Sequence, residues 1–195
     1  MHASIYVDGY NPCISPTPRC EDYCAFTMNV CNDEDGEDLR QYESLQECMN
    51  TCTKGYTNSL PKVEGQTQDK DQDTTACRRY HVYNALLIDK VHCNHAGPGG
   101  DGHCGPICAN YCKLVKAACK EGYDAEYRDD QQCRDECAAA YFPNVTDAKK
   151  QADVEYNVGM AQRGDTIQCR LFHTSQAFSR PTECTAALGG GDCSP

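Results

Sequence analysis

The chain has 195 residues, a formal net charge of −11 and no tryptophan, and 17 of its residues are cysteine. Leu, Ile, Val and Phe together number 26, or 13% of the chain, which excludes a core of ordinary aliphatic content and leaves the cysteines to hold the fold. The acidic balance excludes a basic surface for nucleic acid, and the longest apolar run, Ala85-Leu86-Leu87-Ile88, is too short to span a bilayer.

Residues 1–19 read as an extended arm. Ile5-Tyr6-Val7 has strand propensity, and Ser15-Pro16-Thr17-Pro18 is a proline-rich connector. Met1 to Asp8 shows no basic segment followed by an apolar one, so no signal peptide is visible. The short cysteine spacings are C-x3-C rather than the C-x2-C of zinc knuckles. So many cysteines in a structural role point to an oxidising compartment, hence to a secreted, extracellular or cell-surface protein.

The remaining cysteines form an internal repeat, with module 1 over residues 20–106 and module 2 over 107–195. Cys20, Cys24, Cys31, Cys48, Cys52, Cys77, Cys93 and Cys104 match Cys108, Cys112, Cys119, Cys133, Cys137, Cys169, Cys184 and Cys193 in order. Tyr23 and Tyr111 precede equivalent cysteines, as do Tyr42 and Tyr127 at six residues' distance. Asp73-Thr74-x-x-Cys77-Arg78-x-Tyr80-His81 matches Asp165-Thr166-x-x-Cys169-Arg170-x-Phe172-His173. Cys13 is left over on the arm, either unpaired or intermolecular.

Within a module, cysteines at i and i+4 share one helix face. Two antiparallel helices then pair outer with outer, predicting Cys20–Cys52 with Cys24–Cys48, and Cys108–Cys137 with Cys112–Cys133. Ser44-x-x-Glu47 is a capping box for the second helix, and Asp129 with Gln132 is its weaker counterpart. Turn-rich breaks are expected at Asn32 to Gly36 and at Glu121 to Asp124. A third helix is predicted to start at Asp73-Thr74 and at Asp165-Thr166, where Asp or Thr supplies the N-cap. Local closure of the glycine-rich loops predicts Cys93–Cys104 and Cys184–Cys193. Elimination then gives Cys31–Cys77 and Cys119–Cys169. Thr146 to Asp153 is read as an extra solvated helix. The fold class expected is all-α and disulfide-rich, each module being a stapled helical hairpin with a third helix and a glycine-rich loop.

The densest cluster of ligand-type side chains is His92-Cys93-x-His95-Ala96-Gly97-Pro98-Gly99-Gly100-Asp101-Gly102-His103-Cys104. With His81 it offers four imidazoles, which suit copper or zinc. The matching stretch from Cys184 to Cys193 has no histidine. The shared residues His81 and His173 also fit a packing role beside cysteine. No serine elbow, P-loop or H-E-x-x-H occurs, so no catalytic residue is assigned and no enzyme is expected. Asn144-Val145-Thr146 is a glycosylation sequon at Asn144.

The run Cys77-Arg78-x-Tyr80-His81, with His92-Cys93-x-His95 continuing to Gly102-x-Cys104, resembles uncharacterised cysteine-rich tandem-repeat secreted proteins and lipoproteins of myxobacteria-like bacteria. The resemblance covers both modules, less the histidines in module 2, and implies export without implying an activity. The function expected is a secreted structural protein that self-assembles through its N-terminal arm, as an extracellular filament or surface layer, with no cofactor. One alternative is a secreted copper- or zinc-binding module using His81, His92, His95 and His103. The other is a secreted inhibitor or binding protein.

Overall fold

The structure is a computed structural model that describes residues 19–34, 37–56, 72–88, 90–147, 150–152 and 154–195. The fold is all-α and disulfide-rich. The arm with Cys13, and the polar stretch 57–71, lie outside the described residues.

The C-x3-C spacing sets the first layer. Helix α1 (Cys20–Val30) and helix α2 (Leu45–Thr51) lie antiparallel, stapled by Cys20–Cys52 and Cys24–Cys48. Between them, Asp33–Glu34 (β1) pairs with Glu37–Asp38 (β2) in a two-residue antiparallel ladder. Ser44 Oγ accepts from the Glu47 amide at 3.2 Å, and Glu47 Oε2 accepts from the Glu43 amide at 2.8 Å. Asp129 and Gln132 repeat this arrangement at the start of helix α7 (Asp130–Tyr141), with Gln132 Oε1 accepting from the Arg128 amide. A π-helical turn, Cys52–Tyr56, extends α2.

Helix α3 (Thr75–Leu87) starts where Thr74 Oγ1 accepts from the Cys77 amide, and short helix α4 (His92–Ala96) follows. Module 2 repeats the order as α5 (Ile107–Ala118), α7 (Asp130–Tyr141), α8 (Ile167–Ala177) and α9 (Cys184–Ala187). Its hairpin is stapled by Cys108–Cys137 and Cys112–Cys133. Where a turn-rich break was expected at Glu121 to Asp124, helix α6 (Lys120–Glu126) forms and buries Tyr123. In Thr146 to Asp153 the described residues show a 3-10 turn at Lys150, whose amide donates to Asp147 O at 2.8 Å, and the others are non-helical. The exposed Asn144 lies in a turn after α7.

The pairing reached by elimination is corrected in both modules. Cys31 joins Cys93 and Cys77 joins Cys104, where Cys31–Cys77 and Cys93–Cys104 were expected. Cys119 joins Cys184 and Cys169 joins Cys193, where Cys119–Cys169 and Cys184–Cys193 were expected. The reason is packing: α4 lies against both α1 and α3. The end of α1 therefore meets Cys93, and α3 meets the far end of the glycine-rich loop.

One buried cluster runs through both modules, combining cystines with Tyr23, Tyr42, Tyr56, Leu114, Leu171, Phe172 and Phe178. Cystine and tyrosine supply the burial that aliphatic side chains do not. In module 1 the Tyr42 hydroxyl is hydrogen-bonded to those of Tyr23 and Tyr56, each at 2.9 Å. Arg78, fully buried, stacks over the Tyr56 ring at 4.0 Å and donates to Asp73 at 2.6 Å. Arg170 faces Tyr141 at 5.5 Å and Asp165 at 3.6 Å in the same way, more loosely.

The modules are interlocked. Lys113 of α5 donates to Asp73 at 2.8 Å. The segment after α7 crosses onto module 1: Val158 N donates to Arg40 O at 2.9 Å, and Gln41 Nε2 donates to Tyr156 O at 2.9 Å. Gln176 of α8 donates to Glu43 and to Glu47, each at 2.8 Å.

Burial, with the nearby charge of Glu43, pushes the Glu47 carboxyl up to about 7. Between pH 4.5 and 7 the folded chain therefore keeps a proton that the unfolded chain has released. Stability contributed by this group is full below pH 4.5 and is lost as the pH rises through 7. Glu47→Gln should flatten that loss, worth up to about 3 kcal/mol at ~1.4 kcal/mol per pH unit. Denaturant unfolding at pH 4.5 and 8 measures it; an equal slope in both proteins refutes the assignment.

Candidate metal centre

The histidines are carried on three pieces of backbone that the fold draws together. His81 is four residues after Cys77 on α3, so both lie on one face. His92 and His95 are three apart on α4 and share a face. His103 precedes Cys104, which is bonded to Cys77, so the disulfide brings His103 to the His81 face.

The loop between them is held at successive backbone carbonyls. Tyr23 donates to Ala96 O at 2.7 Å, and Arg78 Nη2 donates to Pro98 O at 3.3 Å. Asn110 Nδ2 donates to both Gly99 O and Cys104 O at 2.8 Å. Cys31–Cys93 ties the start of α4 to the end of α1. Gly100 and Gly102 sit at φ +68° and +75°, where Asn110 and Ala152 crowd the space a Cβ would take.

The result is a compact group of imidazoles. His92 Nδ1 lies 3.1 Å from His81 Nδ1 and 3.1 Å from His95 Nδ1. One nitrogen each of His81, His95 and His103 lie within 4.8 Å of one another. The His95 and His103 rings stack at 3.8 Å. His81 and His95 are buried, His92 is half-buried, and His103 is exposed, so the group opens to solvent on one side.

The 3.1 Å contacts have a specific chemical meaning. A neutral ring nitrogen holds one hydrogen or one lone pair. His92 Nδ1 therefore cannot make two good hydrogen bonds to two other such nitrogens at once. A cation that receives two of the lone pairs relieves the conflict at His92. Two nitrogens each about 2.0–2.1 Å from one ion stand roughly 2.9–3.4 Å apart, which brackets the observed spacing. Burial, then the neighbouring His103, His81 and His92, push the His95 imidazole down to about 3, so its lone pair stays available at neutral and mildly acidic pH.

Two other groups have ligand-type atoms in proximity, Cys77–His81–Cys104 and Cys169–His173–Cys193. Their sulfurs are committed to disulfides, so neither offers thiolates. Module 2 instead saturates its shared histidine from within the protein. His173 Nε2 donates to Gln162 O at 3.1 Å, and Nδ1 lies 2.7 Å from Glu183 Oε2. Glu183 precedes Cys184 as His92 precedes Cys93, so a carboxylate takes the place of the module 1 ligand. Sequence reading missed this substitution, although the aligned cysteines carry it. It also missed the pairing of Tyr56 with Tyr141, each four residues after a matching cysteine.

Fold and site together define a disulfide-stapled helical protein with an imidazole cluster in the first of two interlocked repeats. Residues 17–109, just under half of the chain, are similar to the BfoA family C-terminal domain. That stretch contains module 1 and all four clustered histidines, and stops within α5. No curated protein and no solved structure matches the chain. Among the described residues no helix is long and apolar enough to cross a membrane.

Proposed function

We propose that this is an exported metal-binding protein, holding one copper(II) or zinc ion in module 1 through His81, His92, His95 and His103. The observation that carries the reading is the gathering of His81, His95 and His103, one ring nitrogen of each within 4.8 Å of the others, with His92 Nδ1 3.1 Å from both His81 Nδ1 and His95 Nδ1. An all-imidazole donor set without thiolate suits Cu(II) and Zn(II), and affinity order favours copper. The eight disulfides support export, because reducing compartments do not maintain them. The exposed side at His103 leaves room for an exchangeable ligand, as a protein that accepts and passes on an ion requires.

Metal analysis after dialysis against each ion tests the proposal. One ion per chain is expected, falling to none in a His81→Gln, His95→Gln double variant. His173→Gln should leave the stoichiometry unchanged. Retention of no ion by the unaltered protein overturns the reading.

A second reading, self-assembly of the chain, is favoured by one observation. Leu86, Leu87, Ile88 and Val91 stand 49–76% exposed beside His92. The N-terminal arm first expected to mediate it lies outside the described residues. Sedimentation over a wide concentration range tests this reading, and a strict monomer refutes it.

A further inference from the structure

We infer that Asp101 is the positioning residue of the histidine cluster: it selects which nitrogen of His95 faces the ion, and it ties that choice to the clasp of module 2 on module 1. The inference rests on reading the cluster as a metal centre. Asp101 is 5% exposed, and its Oδ2 faces His95 Nε2 at 3.7 Å. The opposite nitrogen of the same ring, Nδ1, is the one 3.1 Å from His92 Nδ1. A carboxylate only accepts, so it favours the tautomer with hydrogen on Nε2 and the lone pair on Nδ1, aimed into the cluster. At 3.7 Å the pair stands beyond hydrogen-bond distance, so the role requires the ring to shift by about half an ångström toward Asp101 when an ion binds. This is the carboxylate–histidine–metal relation that fixes ring orientation and raises ligand basicity at metal sites.

Asp101 is held for this purpose from two directions. It is the sole non-glycine at positive φ among the described residues, at +45°, between Gly100 and Gly102 in the same region. Side chains avoid this conformation unless their surroundings impose it. The imposing contact comes from module 2: Val154 N donates to Asp101 Oδ1 at 2.9 Å. Tyr156 N, two residues on, approaches Asn94 Oδ1 at 3.4 Å, beside His95. One carboxylate thus spans the clasp and a ligand ring. Module 2 has no counterpart, because Ala186 stands where His95 stands in module 1.

Asp101→Asn tests this, since Asn tolerates the same backbone and keeps an oxygen for Val154 N. Its amide presents N–H groups toward Nε2, which favours the opposite tautomer and removes the lone pair from Nδ1. Two readouts are needed. Nitrogen NMR of the ion-free proteins should show His95 protonated at Nε2 in the unaltered chain and at Nδ1 in the variant. Chelator competition with copper(II) should show affinity lowered by about 10–100-fold, with stoichiometry and far-ultraviolet dichroism unchanged. A folded variant with unaltered tautomer and unaltered copper affinity overturns the role of Asp101 and leaves the metal centre standing. An unaltered chain that retains no copper overturns the metal centre, and this inference with it.

Discussion

Arg78→Met should destabilise the protein by about 3–5 kcal/mol, the usual cost of breaking a buried ion pair by removing one partner. The Arg78 side chain has no exposure and joins three pieces of structure at once. It covers the Tyr56 ring, neutralises Asp73 and donates to Pro98 O in the histidine loop. Methionine fills the space but leaves the Pro98 carbonyl without this donor and Asp73 with Lys113 alone among the cations shown beside it. The second module supplies the control. Arg170 is 20% exposed, and its acidic partner Asp165 is 40% exposed and 3.6 Å away. Arg170→Met should cost about 1 kcal/mol, as a longer, partly exposed ion pair does. Arg78→Met should also weaken ion binding, through Pro98, whereas Arg170→Met should not. Equal losses of stability in the two variants would show that the buried network is not what distinguishes them.

Replacing Cys31 and Cys93 together with serine should cost about 4 kcal/mol, from the entropy of a closed loop with sequence separation 62. Replacing Cys119 and Cys184, at separation 65, should cost about the same. At 2–4 °C per kcal/mol, each lowers the midpoint of thermal unfolding by roughly 8–16 °C. The two variants should part company on the ion. Cys93 adjoins His92 and anchors α4, so its loss frees two of the four imidazoles. Cys184 adjoins Glu183, which pairs with His173 and Arg180 and lies outside the imidazole cluster. Scanning calorimetry with a copper titration of both variants separates the structural from the functional consequence. If both bind copper as the unaltered chain does, α4 is held well enough without its disulfide.

How much of this was legible in the sequence differs from element to element. The C-x3-C hairpins were readable because a helix has one period and an antiparallel pair has one outer-with-outer solution. The helix starts at Asp73-Thr74 and Asp165-Thr166 were readable because capping is local chemistry, and the structure puts the cap on Thr74 and Thr166. The remaining disulfides were not, because elimination assumed that a glycine-rich loop closes on itself. That choice ignored information in the histidines. His81 is four after Cys77, and His103 is one before Cys104. Any fold that gathers those rings brings those two sulfurs together. The role of Glu183 was not legible either, because the stretch from Cys184 to Cys193 has no histidine and the carboxylate that meets His173 lies one residue before it. The clasp from 150 to 161 was out of reach, since long-range contacts of an irregular segment leave no periodic trace.

The interlocking of the two repeats changes what duplication has meant for this chain. The similarity to a known domain ends at residue 109, yet Asn110 and Val154 bond to the histidine loop, Tyr156 to Asn94 of α4 and Lys113 to Asp73 at the start of α3. The second repeat thus acts as scaffolding for the first, and the two should melt as one unit in calorimetry.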